Sequence, residues 1–203
     1  MHHKNTPCSV VYGTRNATYY YSMLSLLIPV YNESEAIEET IRSLYETFSA
    51  AGEEFEILAI DDGSTDRSSE ILNQIDLPTL RIITHPQNRG YGSSMKTGIR
   101  HSKGNLIAIT DADGTYPLQD FPRLLKEMRE GDADMIVGAR TKKGAKIPLI
   151  RRPAKFVVNR LADILTGTRI PDVNSGMRIF TREFAERFMH IYPQRFSFTI
   201  TTT

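Results

Sequence analysis

Cysteine is nearly missing from this chain: Cys8 stands alone among 203 residues. An internal disulfide and a cysteine-based zinc cluster are therefore excluded, and a reducing compartment fits best. Long hydrophobic runs are missing too. The longest, from Met23 to Val30, is interrupted by Ser25 and Pro29, far short of the roughly 18 apolar residues that span a bilayer. The N-terminus lacks the basic-then-apolar build of a secretory signal. Charge of one sign is not in excess, with 25 Lys and Arg against 24 Asp and Glu, so nothing global points to nucleic acid. Apolar residues make up 40% and charged residues 24%, which excludes collagen-like and wholly disordered chains. Gly90-Tyr91-Gly92 opens a dinucleotide-type fingerprint but its sixth position is Met95, and no Gly-rich loop ends in Gly-Lys-Ser/Thr. The five histidines show no metal-ligand spacing. His85, before Pro86, reads as a solvated loop residue.

What is present is a regular alternation. Residues 1–22 read as a loose lead-in, and one domain is expected over 23–203. Apolar runs at Met23–Pro29, Phe55–Ile60, Leu80–Thr84, Leu106–Thr110 and Met135–Val137 predict buried strands. Helices are predicted over Glu33–Ala50, Thr65–Ile75 (capped by Ser64 or Thr65), Gly92–Ser102 and Leu118–Arg129. Strands apolar throughout and alternating with helices imply a mostly parallel sheet covered on both faces. Beyond Gly138 the pattern changes. Eight Lys or Arg residues and no acid lie between Arg140 and Arg160. Thr141–Pro148 reads as a mobile loop, Ala154–Leu165 as a helix, Ser175–Thr181 as a strand and Arg182–His190 as a helix. Phe196–Ile200 reads as an alternating terminal strand. With nothing after it, the sequence is expected to be a fragment whose exposed edge promotes self-association.

Ligands of open α/β sheets sit beyond the carboxyl ends of the strands. Here those ends carry polar groups: Tyr31-Asn32-Glu33, Asp61-Asp62-Gly63-Ser64, Asp111-Ala112-Asp113-Gly114 and Gly138-Ala139-Arg140. Two carboxylates one residue apart suit a hard divalent cation, although a strand-ending turn has the same composition. Asp61 and Asp62 suit a ribose or base edge, or only a tight turn. The Arg140–Arg160 stretch suits a pyrophosphate, a lipid phosphate or an anionic membrane surface, against the ordinary alternative of a solvated face.

In order and spacing, Ile28-Pro29-Val30-Tyr31-Asn32-Glu33, Asp61-Asp62-Gly63-Ser64-Thr65-Asp66, Asn88-Arg89-Gly90-Tyr91-Gly92, Asp111-Ala112-Asp113-Gly114, Gly138-Ala139-Arg140 and Asn174-Ser175-Gly176-Met177-Arg178 resemble family 2 glycosyltransferases of the GT-A fold. Within that family they look like the dolichyl- and polyprenyl-phosphate sugar transferases. The resemblance implies a Rossmann-like α/β fold. It also implies transfer of a sugar, with inversion, from a GDP- or UDP-linked donor to a polyprenyl or dolichyl phosphate. Pro29, Tyr31, Glu33, Asp61, Asp62, Ala112 and Arg140 would bind donor. Asp111 and Asp113 would hold Mg²⁺ or Mn²⁺, and with Arg140 would be catalytic. Arg151, Arg152, Lys155, Asp172, Ser175 and Arg178 would form the acceptor and phosphate region. Some relatives with Asp-Ala-Asp place a further metal ligand, Gln, where this chain has Thr115. A lipid phosphate is already anionic near pH 7, so no strong general base is then needed; a sugar hydroxyl acceptor would need one. The expected location is the cytoplasmic face of a membrane, held peripherally. A polysaccharide glycosyltransferase, a nucleotidyltransferase on the same fold, or a non-catalytic nucleotide-sugar-binding fragment are the rival readings.

Overall fold

The computed structural model describes residues 9–12, 23–138 and 175–193. The expected loop at Thr141–Pro148, the helix at Ala154–Leu165 and the terminal strand at Phe196–Ile200 lie outside the described residues. The described elements are β1 (Ser9–Tyr12), β2 (Leu24–Val30), α1 (Ile37–Ala50), β3 (Phe55–Asp61), α2 (Ser68–Gln74), β4 (Leu80–Thr84) and α3 (Tyr91–His101). They continue with β5 (Leu106–Ile109), α4 (Phe121–Glu130) led by a 3-10 turn, β6 (Met135–Gly138), β7 (Arg178–Thr181) and α5 (Arg182–Phe188).

The strands form one sheet in the order β1-β6-β7-β5-β2-β3-β4. β5, β2, β3 and β4 run parallel. β7 lies between β5 and β6 and is antiparallel to both. β6 therefore points the same way as the parallel block, and the expected mostly parallel sheet is present. Ser9–Tyr12, inside the stretch read as a lead-in, pairs antiparallel with β6 along its whole length.

Successive strand residues point to opposite faces, and both faces are covered. On one, Leu26, Ile28, Ile57, Ala59, Ala108 and Ile179 pack with Ile37, Ile41, Leu44 and Phe48 of α1 and with Phe121, Leu125 and Met128 of α4. On the other, Leu27, Leu58, Ile60, Ile107, Ile109 and Phe180 pack with Met95 and Ile99 of α3 and Ala185 of α5. The start of α2 lies three residues later than the sequence predicts. Side chains at the strand ends capture the amides that would otherwise begin the helix. The Thr65 amide donates to Asn32 Oδ1 at 2.8 Å, and the Ser68 amide to Asp66 Oδ1 at 2.9 Å. Helix α2 thus starts at Ser68, and Asp66 rather than Ser64 or Thr65 acts near its N-terminus.

Candidate active site

The strand order reverses direction at β2. Its successors β3 and β4 lie on one side and β5 on the other. This is the position at which a crevice opens in α/β sheets. The β2–β5 ladder runs only from Leu24 to Leu27, whereas the β2–β3 ladder continues to Val30. Leu27 O accepts the Thr110 amide, and Val30 O accepts the Asp62 amide. Backbone groups alternate sides along a strand, so Pro29 presents its side without N–H toward β5, beyond the last pairing. A central-strand proline is tolerated there because no ladder bond is lost. Pro29 is part-buried and lies at the point where β2 and β5 separate.

Carboxylates line this opening. Asp111 is half-buried, Ala112 is buried and Asp113 is exposed. The Thr40 hydroxyl of α1 donates to Ala112 O at 3.1 Å, fixing the loop from beneath. Asp113 Oδ1 accepts from the Thr115 amide at 3.0 Å and the Thr115 hydroxyl at 2.8 Å. Thr115, where some relatives have a ligand, therefore orients the neighbouring carboxylate. Glu33 arrives from the β2–α1 turn. Burial, then the charges of Asp113, Asp111 and Asp66, hold its carboxyl above the usual range. Asn32, at φ 58, makes the turn; Asn tolerates the left-handed region better than most residues. Tyr31 is one of two large hydrophobic side chains exposed among the described residues, at 44%.

Asp61 and Asp62, expected at a ribose or base edge or in a tight turn, make their hydrogen bonds inside the fold. Both are buried, at 0% and 3% exposed. Asp61 accepts from the Ser64 amide at 3.0 Å and from the Ser69 hydroxyl. Asp62 accepts from the Arg89 amide at 3.0 Å and the Gly90 amide at 2.7 Å. It also pairs at 2.6 Å with Nδ1 of His85. His85 is buried, not solvated, and its Nε2 lies 2.9 Å from the Thr97 hydroxyl. Gly63, at φ +69, leaves room for this arrangement. A Cβ there would stand 2.6 Å from the Gln87 carbonyl carbon. Asp62 and His85 thus fasten the Asn88–Gly92 stretch to the end of β3.

The turn entering β7 forms the third wall. The Ser175 hydroxyl donates to Gly138 O at 2.6 Å, and the Gly176 amide to the Tyr116 hydroxyl oxygen at 2.6 Å. Ser175 and Arg178 are both fully buried. Arg178 Nε donates to Ser175 O at 3.2 Å, so its guanidinium braces the turn that enters β7. Burial, then the charge of Asp111, raises the Tyr91 phenol at the start of α3 well above its ordinary value. Arg140, Arg151, Arg152, Lys155 and Asp172 lie outside the described residues.

The structure brings Pro29, Glu33, Asp111, Ala112, Asp113 and Ser175 to one end of the sheet and gives Asp61, Asp62 and Arg178 internal duties. Sequence reasoning missed Thr40, Tyr116 and His85. Thr40 carries one signal, as a polar residue on the apolar stripe of α1; the other two carry none that a single sequence displays.

Solved structures share this architecture. A mannosyltransferase from Pyrobaculum calidifontis, in complex with GDP-Man and Mn²⁺, matches at 22% identity with a TM-score of 0.59, covering 84% of this chain and 47% of its own. Glucosyl-3-phosphoglycerate synthase from Mycobacterium tuberculosis, with Mn²⁺, UDP-glucose and phosphoglyceric acid, matches at 20% identity and TM-score 0.62, covering 80% and 57%. S. aureus TarS 1–349 in complex with UDP matches at 20% identity and TM-score 0.62, covering 85% and 50%. The chain spans about half the length of these structures, and its fold is the GT-A fold. The family model described as Glycosyl transferase family 2 matches residues 25–188. The chain belongs to that family.

Proposed function

We propose that this chain carries the donor site of a metal-dependent glycosyltransferase that moves a sugar from a GDP- or UDP-linked donor to a polyprenyl or dolichyl phosphate. The observation that carries the donor site is the set of carboxylates converging on the β2–β5 opening. Glu33 feels both Asp111 and Asp113, and such a cluster calls for a counter-charge. Among the described residues no group of three or more His, Cys, Asp or Glu side chains is arranged to hold a metal ion. A pair of carboxylates still fits Mg²⁺ or Mn²⁺, since Mg²⁺ commonly takes one or two carboxylates and completes its shell with substrate phosphates and water. Asp111 and Asp113 would hold it, and bound there it would neutralise the leaving diphosphate.

The chain's own residues supply positioning. Thr40 and Thr115 fix the Asp111–Asp113 loop, and Tyr31 stands at the mouth where a base can stack. The Asp62–His85 pair sets the loop leading into α3. Preorganised groups of this kind lower the barrier by avoiding reorganisation during reaction. The acid-free Arg140–Arg160 stretch supports an anionic acceptor and a peripheral hold on an anionic membrane surface. No helix among the described residues is long and apolar enough to cross a membrane. The M. tuberculosis relative, solved with phosphoglyceric acid, favours a second reading in which the anionic acceptor is a small soluble phosphate.

Calorimetry with GDP- and UDP-sugars, with and without Mn²⁺, tests the donor assignment. Wild type should bind one class in a Mn²⁺-dependent manner, and Asp113→Asn should lose at least tenfold in that affinity while melting at an unchanged temperature. Equal affinity for both proteins in Mn²⁺ would remove Asp113 from the site. Transfer to polyprenyl phosphate or to a soluble phosphorylated acid, assayed side by side, separates the two acceptors.

A further inference from the structure

We propose that Gly176 is a positioning residue for Asp111, so that the turn entering β7 governs the place of the metal-site carboxylate. This inference rests on the donor-site reading above and deepens it. Three observations meet at this turn. A methyl group at Gly176 would stand 2.8 Å from Cγ and 2.9 Å from Oδ1 of Asp111, and closer still to Oδ2. Real Cβ atoms do not approach heavy atoms so closely, and the Asp111 carboxylate sits on a side chain too short to yield without leaving its place. The backbone at Gly176 is not free to retreat either. Its amide donates to Tyr116, which follows Asp113 by three residues in the same loop. Behind it, Ser175 bonds the last carbonyl of β6 through its side chain, and the Gly138 amide donates to Met177 O at 2.9 Å.

The loop bearing Asp111 is itself held by α1, where the Thr40 hydroxyl donates to Ala112 O at 3.1 Å. The carboxylate therefore stands on a fixed loop with the bare backbone of Gly176 against it. A side chain at residue 176 must displace either Asp111 or the turn, and the turn is bonded at both ends. The only residue that leaves the Asp111 carboxylate where the metal would need it is glycine. The Tyr116 hydroxyl is the second part of the device: it ties the turn to the loop whose carboxylate the turn supports.

The test uses the chain as it stands, with Gly176→Ala and Tyr116→Phe. Three quantities are read: Mn²⁺ affinity in the presence of saturating GDP or UDP, followed by electron paramagnetic resonance; nucleotide affinity without metal, by calorimetry; and the melting temperature. Gly176→Ala is expected to weaken Mn²⁺ at least tenfold while metal-free nucleotide affinity stays within twofold. Tyr116→Phe, which removes a single oxygen, is expected to weaken Mn²⁺ three- to tenfold with the same split. Were Gly176→Ala to lose its cooperative melt, Tyr116→Phe alone decides. Mn²⁺ affinity at the wild-type level in the folded variants overturns the positioning role. So does a loss of metal and metal-free affinity in equal proportion. Wild type that binds nucleotide but no Mn²⁺ instead overturns the metal-site reading on which the proposal rests.

Discussion

Burial first, and then the charges of Asp113, Asp111 and Asp66, hold the Glu33 carboxyl above its ordinary value. A carboxyl raised in the folded state binds its proton more tightly there than in the unfolded chain. The fold therefore loses stability as pH rises through the ordinary glutamate range and on to the raised value, and the penalty persists above it. Glu33→Gln removes that charge. In metal-free protein the variant should melt above wild type at pH 7 and equal to it near pH 3. Thermal melts across that range check this, and a variant no more stable than wild type at pH 7 would show that burial and the neighbouring charges do not penalise ionised Glu33 in the fold. Adding Mn²⁺ with nucleotide should narrow the difference, because the counter-charge then does for wild type what the substitution does for the variant.

At the scale of elements, a buried side-chain pair adds to the backbone at the ends of β3 and β4, where the His85 amide donates to Asp61 O at 2.8 Å. Asp62 receives two amides of the loop before α3 together with the His85 ring, and helix α3 begins one residue later with Tyr91. Removing the ring leaves a buried carboxylate short of a donor, at a cost of about 2 kcal/mol. Two variants separate the ring's two nitrogens. His85→Asn keeps a donor at the Nδ1 position and the bond to Asp62. His85→Gln reaches toward Thr97 and loses Asp62. Urea unfolding should find His85→Gln the less stable of the two by about 1–2 kcal/mol. Equal stabilities would mean that Thr97, not Asp62, is the partner that matters.

Across the whole molecule, the end of the sheet opposite the crevice is secured by a second buried carboxylate. Glu56, 4% exposed, accepts from the Ser25 hydroxyl at 2.7 Å, the Lys103 amide and Arg81 at 2.7 Å. Arg182, at the far end of β7, holds the carbonyls of Ser102 and Gly104 in the same loop, each at 2.7 Å. Burial opposes ionisation of Glu56, yet the bonds from Ser25, Lys103 and Arg81 outweigh it and hold the carboxyl below its ordinary value. A lowered folded-state pKa adds stability above the ordinary glutamate range and loses it as pH falls through that range toward the folded value. Glu56→Gln should lower unfolding free energy by about 2 kcal/mol near neutral pH and flatten the acid side of the stability profile. Donor affinity should stay within twofold, since the network lies at the other end of the strands. A matching loss of donor affinity, by calorimetry, would show the two ends to be coupled.

The sequence by itself determined the alternation of buried strands and helices, and with it the position of Asp111-Ala112-Asp113 at a strand's carboxyl end. Apolar periods of two and of 3.6 are local properties, readable wherever a face is buried. Tertiary structure decided which polar groups face the crevice and which serve the interior. Asp62 meets His85 across 23 residues, Gly176 meets Tyr116 across 60, and Thr40 meets Ala112 across 72. A single chain displays no signal for such pairs, so Asp62 read as a ligand group or part of a tight turn, and His85 as a solvated residue. Ser9–Tyr12 pairs with β6 although its own pattern predicted no strand, because an open sheet edge supplies the hydrogen bonds that orders it. The placement of β7 between β5 and β6 follows the same logic. A four-residue segment is defined less by its own propensity than by the two strands that leave a gap for it.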